Sequence, residues 1–176
     1  MTPELSRPLR LDAIGEGEKR VPVEADEHER AALAKRFGLI AIDKLAAEFA
    51  VRRDAAGVIA RGQLSCAVVQ ACSVTGEPVP ARLDEAFDLR FLPEPGARDA
   101  GGAGDEIELS EDECDTVFYT GGAIDLGEAA AETLALALDP FPRSPNADAV
   151  LRDAGVLSED EDPTGPFAAL AKLKKN

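Results

Sequence analysis

The sequence predicts an α+β fold: an antiparallel sheet, a meander of long strands, with helices packed on its apolar face. Three consecutive stretches within residues 44–91 alternate apolar and polar side chains with period two, separated by short turn-forming segments. On either side lie stretches with helical spacing and helix start signals, one near Asp26 and one near Asp125.

From the N-terminus, two short extended pieces are expected, around residues 8–14 and 19–24. The second sets Val21 and Val23 against polar neighbours. A helix follows with clear punctuation: Asp26 as N-cap, Glu29 three residues on, and Gly38 just past the end. Its apolar face is Leu33, Ala34 and Phe37, with Arg30 at the margin.

The meander is the best-defined region. Leu45, Ala47, Phe49 and Val51 share one face of the first long strand, and Lys44, Glu48 and Arg52 the other. After a turn at residues 54–57, Val58, Ala60, Gly62, Leu64, Cys66 and Val68 lie opposite Arg61, Gln63 and Ser65. After a second turn at residues 75–80, Leu83, Phe87, Leu89 and Phe91 alternate with Arg82, Asp84, Asp88 and Arg90. Short turns and one apolar face imply antiparallel neighbours buried on a single side.

From Pro93 the periodicity stops. Residues 93–105 are rich in Gly, Pro and Ala, and acid follows, so a flexible acidic loop is expected at about 93–113. Residues 117–119 form a short strand. Asp125 then caps a helix, with Glu128 at the capping-box position and Leu126, Ala130, Leu134, Ala137 and Leu138 as its stripe. Asp139-Pro140-Phe141-Pro142 ends it. A short helix near 148–154 follows. The expected organisation is one α+β domain over 1–157, then an acidic linker and a basic helix within 158–176.

Composition narrows the function classes. The chain has 176 residues and a net charge of −15, which argues against general affinity for nucleic acid or membranes. Eight of those charges lie between Asp99 and Asp115, so the remainder carries −7 and its compact part is less acidic than the total. Three cysteines (Cys66, Cys72 and Cys114) make no disulfide framework and suit a reducing cytosol. No apolar run approaches the ~18 residues of a membrane span, nor a signal peptide at the N-terminus. The chain is read as cytoplasmic.

Three segments carry a family resemblance. The turn VVQACSVTGEPV places Cys72 and Pro78 where a Cys-x-x-Cys turn has its first cysteine and its proline, with Thr75 in place of the second cysteine. AIDLGEAAAETLALALDPFP gives an Asp-Leu helix start and a Pro-rich exit, and GPFAALAKLKK a Gly-Pro-Phe and a Leu-Lys ending. In this order they resemble the YceD family, the large ribosomal RNA subunit accumulation proteins. The resemblance implies a cytosolic bacterial protein acting in the synthesis or processing of large-subunit ribosomal RNA. It implies no catalytic residue.

The family's Cys-x-x-Cys raises zinc, which needs about four thiolate or imidazole ligands, usually as two close pairs. Here Cys66 falls on the buried face by parity and His28 in a solvated first turn, so no metal or other cofactor is expected. Cys72 reads as a turn residue left from a motif that no longer binds metal. An enzyme is not expected either. His28 has no evident orienting partner, the carboxylates cluster in loops, and the glycines at 101–104 and 15–17 lack phosphate-binding companions.

Basic residues are the remaining candidates. Lys44, Arg52, Arg61, Arg82 and Arg90 all fall on the polar face of the three strands, where together they could track a phosphate backbone. Glu48, Asp84 and Asp88 share that face, so cross-strand ion pairs account for these bases more simply. Lys172, Lys174 and Lys175 in the C-terminal helix have fewer acidic neighbours. The expected function is a non-enzymatic ribosome-biogenesis factor that binds large-subunit ribosomal RNA or its precursor. The alternative is an acidic module that holds a basic ribosomal protein and never touches RNA.

Overall fold

The computed structural model describes residues 3–55, 57–94 and 115–156. The expected loop, apart from its first two residues, and the whole 158–176 segment with Lys172, Lys174 and Lys175 lie outside the described residues. The elements are β1 (Pro8–Arg10), a 3-10 turn (Leu11–Ala13), β2 (Lys19–Glu24), α1 (Glu27–Phe37), β3 (Ala41–Arg53), β4 (Val58–Ala71) and β5 (Pro78–Pro93). After the undescribed stretch come β6 (Asp115–Tyr119), β7 (Ala123–Asp125), α2 (Leu126–Ala137) and α3 (Ala147–Asp153).

The α+β class is as expected, and the long strands form the sheet β2-β3-β4-β5-β6. β2 and β3, and β3 and β4, pair antiparallel, with a register shift between Ile42 and Lys44. β6 departs from the meander by running parallel to β5, Leu89 opposite Asp115. β1 and β7 form a separate two-stranded ribbon.

Of the described residues, 3–55, 57–70, 80–94 and 115–140 form one unit, and 71–79 and 141–156 another. The first holds the main core. The inward rows of β3 (Leu45, Ala47, Phe49, Val51) and β4 (Val58, Ala60, Leu64, Cys66, Val68) pack with Leu33 and Ala34 of α1 and Leu126, Ala130 and Leu134 of α2. Each fully buried Leu or Phe stabilises by ~1.5–3 kcal/mol relative to exposure. Gly62 sits where Phe87 crosses β4, and the Phe49 and Phe87 rings lie 4.7 Å apart. A Cβ at Gly62 would fall 1.8 Å from the Glu48 carbonyl oxygen and 2.7 Å from Phe87, so only glycine lets the strands meet there.

Both long helices start as expected, but only one forms a capping box. In α1 the Asp26 side chain accepts from the Glu29 N–H, and Glu29 accepts from the Asp26 N–H in return. In α2, Asp125 accepts from the Gly127 and Glu128 N–H groups, while the Glu128 carboxylate turns away to Arg36, 2.8 Å distant. Asp125 also accepts from Ser6 Oγ and the Arg7 N–H, tying the N-terminal segment to the start of α2.

Candidate functional site

Strand parity sets the polar face of the sheet. Lys44, Arg52, Arg61 and Arg82 are exposed and Arg90 is half-buried. Arg61 lies opposite Ala50, and Ala50 opposite Arg20 of β2, so Arg20 joins this face in line with Arg61. The sequence hides that contribution, because the pattern of β2 is set by its valines. Between Arg20 and Arg61 is a shallow depression of about 290 Å³ bordered by Glu48.

These bases are unequally committed. Arg61 Nε donates to Asp88 Oδ2 at 2.7 Å, and Arg90 reaches Asp54 Oδ2 at 3.4 Å. Lys44 lies 3.5 Å from Ser65 Oγ, and Arg20 is 3.8 Å from Glu18. Among the described residues Arg52 and Arg82 have no ion pair. The face is therefore a mixed surface, on which Lys44, Arg52 and Arg82 are bases without an ion pair among the described residues.

The second unit holds a different constellation, at Cys72. The buried sulfur accepts backbone N–H groups from Val74 and Thr75, both at 3.4 Å, and from Ser144 at 3.2 Å. Thr75 and Ser144 hydroxyls are 3.2 Å apart, and Glu77 Oε2 lies 3.1 Å from the Thr75 hydroxyl. Burial opposes ionisation of the thiol. The hydroxyls and N–H groups of Thr75 and Ser144 outweigh it, and its pKa is lowered to about 6. Cys66 shows the opposite outcome: burial, with Asp84 and Glu85 nearby, pushes it up to about 11. Among the described residues no three His, Cys, Asp or Glu side chains gather to hold a metal. The donor set at Cys72 (one sulfur and two hydroxyls) also lacks the thiolate pairs zinc requires.

The family model described as large ribosomal RNA subunit accumulation protein YceD matches residues 60–174. The chain belongs to the YceD family. The match starts in β4, takes in both sides of the Cys72 cluster, and includes Arg61, Arg82, Arg90, Lys172 and Lys174. Arg52 and Lys175 lie outside it. The YceD description names accumulation of an RNA and no reaction. No curated protein and no solved structure matches the chain.

Proposed function

We propose that this chain supports accumulation of large-subunit ribosomal RNA by binding, without catalysing a reaction. The YceD match over residues 60–174 carries this reading. For direct contact, Arg52 and Arg82 on the sheet and Lys172, Lys174 and Lys175 in the tail are the bases we assign to phosphates. Arg61 and Arg90 are weaker candidates, since a phosphate there would compete with Asp88 and Asp54. A cytoplasmic site of action goes with this role, and among the described residues no helix is long and apolar enough to cross a membrane.

A second reading is favoured by the net charge of −15: the protein holds a basic ribosomal protein and meets RNA only through it. Salt-dependent binding to large-subunit RNA fragments, beside binding to purified basic ribosomal proteins, separates the two. Direct contact predicts that changing Lys172, Lys174 and Lys175 to Gln weakens RNA binding. The salt slope should flatten by ~0.7–0.9 for each phosphate that the substituted side chains no longer neutralise. RNA binding and salt slope unchanged by these substitutions would clear the tail. Binding to the basic proteins alone would favour the second reading.

A further inference from the structure

β6 carries its two aromatic residues on opposite faces. Val117 and Tyr119 pack against the main core, so the two-residue period turns Phe118 to the polar face of the sheet. There it lies opposite Leu92 of β5 and is 55% exposed. Among the described residues it is the only exposed aromatic side chain of the five-stranded sheet. A single exposed ring has no meaning by itself. Its neighbours give it one.

The register places those neighbours. A Cβ at Gly57 would fall 3.0 Å from Leu92 Cδ2, and one at Gly62 2.7 Å from Phe87 Cζ. Numbers rise along β4 as they fall along β5, so the two strands run antiparallel and Ile59 stands beside Arg90. Ile59 also pairs with Arg52, and Arg90 with Thr116. Arg52, Ile59, Arg90 and Thr116 thus form one row across four strands, and Leu92 and Phe118 belong to the next. Strand spacing and rise put the Cα atoms of Arg90 and Phe118 about 8 Å apart. Arg52 lies two strands beyond Arg90, exposed and without an ion pair among the described residues. Ile59 and Leu92, each 4% exposed, give this corner an apolar backing apart from the main core. Two acids stand nearby, and both are engaged. Asp54 accepts from the Gly57 N–H at 2.9 Å and lies 3.4 Å from Arg90, while Asp88 accepts from Arg61.

An exposed ring for a base, with cations beside it for the backbone, is what an unpaired nucleotide requires. A duplex keeps its bases stacked on one another and has none to offer the ring. We propose that this corner of the sheet is a site for single-stranded RNA, in which Phe118 stacks on an unpaired base and Arg52 takes a neighbouring phosphate, with Arg90 between them. The inference deepens the direct-contact reading and rests on it. Phe118 and Arg90 lie within the YceD match, and Arg52 outside it.

The chain has no Trp, so Phe118→Trp places a single indole at the site. Unpaired oligomers of ~10 nucleotides, tiling large-subunit RNA, are titrated into this full-length variant. Those that bind should quench its emission, and the same oligomers annealed to their complements should not. Phe118→Ala should weaken their binding ~fivefold or more. Phe118→Leu keeps most of the apolar bulk without the flat ring and should also weaken it, while Phe118→Trp should retain it. Arg52→Gln should flatten the salt slope by ~0.7, the share of one phosphate on a single strand. Binding without quenching, full affinity in Phe118→Leu, or a duplex held as tightly as the single strand would overturn the site. The direct-contact reading would survive those results, with the RNA held elsewhere on the chain. If no oligomer and no longer fragment of large-subunit RNA binds wild type, that reading fails and the site with it.

Discussion

The backbone N–H of Ser144 points at the sulfur of Cys72 from 3.2 Å, although 72 residues separate them in the chain. With the N–H groups of Val74 and Thr75 it forms a cradle that favours the anion. Ultraviolet thiolate titration of a Cys66→Ala, Cys114→Ser variant should therefore show a midpoint about 6, against 9.0 for an ordinary thiol. Thr75→Val or Ser144→Ala should move it upward. A folded pKa below the unfolded one stabilises most above the unfolded value, and that advantage fades as pH falls through the folded one. Comparing wild type with Cys72→Ala, the stability difference should thus grow from pH about 6 towards 9.0. A pH-independent difference would contradict the cradle.

Gly62→Ala places a carbon 1.8 Å from the Glu48 carbonyl oxygen in the middle of the sheet. Backbone must move and the Phe49–Phe87 contact with it, so a loss of about 3 kcal/mol in denaturant unfolding is expected. A change under ~0.5 kcal/mol would mean that β3 and β4 do not meet as closely as described.

How much of this was legible follows from the range of each interaction. Alternation over residues 44–91 located the three long strands and put Leu45, Phe49, Leu64 and Cys66 inside, because period two is a local property. It also put Arg52, Arg61 and Arg82 on the outer face. It could not show that Arg90 meets Asp54, since Asp54 lies in a turn whose geometry alternation does not encode. The parallel course of β6 was equally hidden: residues 117–119 announce a strand but say nothing of which edge it joins. β7 is three residues, too short to display any period, and of the extended piece expected at 8–14 only Pro8–Arg10 is a strand before the chain turns at Leu11–Ala13. The Cys72 cluster is invisible for the same reason of distance. The sequence shows a turn at Cys72 and a Pro-rich helix exit near Ser144, and nothing local relates them.

Asp125 serves four donors at once: Ser6 Oγ and the N–H groups of Arg7, Gly127 and Glu128. Asp125→Ala removes a helix cap and leaves Arg7 unsatisfied, for a combined cost of about 3 kcal/mol. Amide exchange should quicken at Arg7, Gly127 and Glu128 together. Asp125→Asn keeps one acceptor oxygen and should cost less. Quickening at α2 alone would show that the N-terminal segment is held by something else.

Asp88 competes with any phosphate for Arg61. Arg61 is exposed and Asp88 partly so, and a solvent-screened pair of this kind contributes little, so Asp88→Asn should change stability by less than ~1 kcal/mol. If the polar face meets RNA, the same substitution should tighten binding to large-subunit RNA fragments, most at low salt. Unaltered affinity would remove Arg61 from the contact surface.

If this YceD-family chain sustains large-subunit ribosomal RNA, cells lacking it should hold a lower ratio of large- to small-subunit RNA than the parent strain, and the wild-type chain should restore it. An unchanged ratio in the deletion strain would contradict this reading.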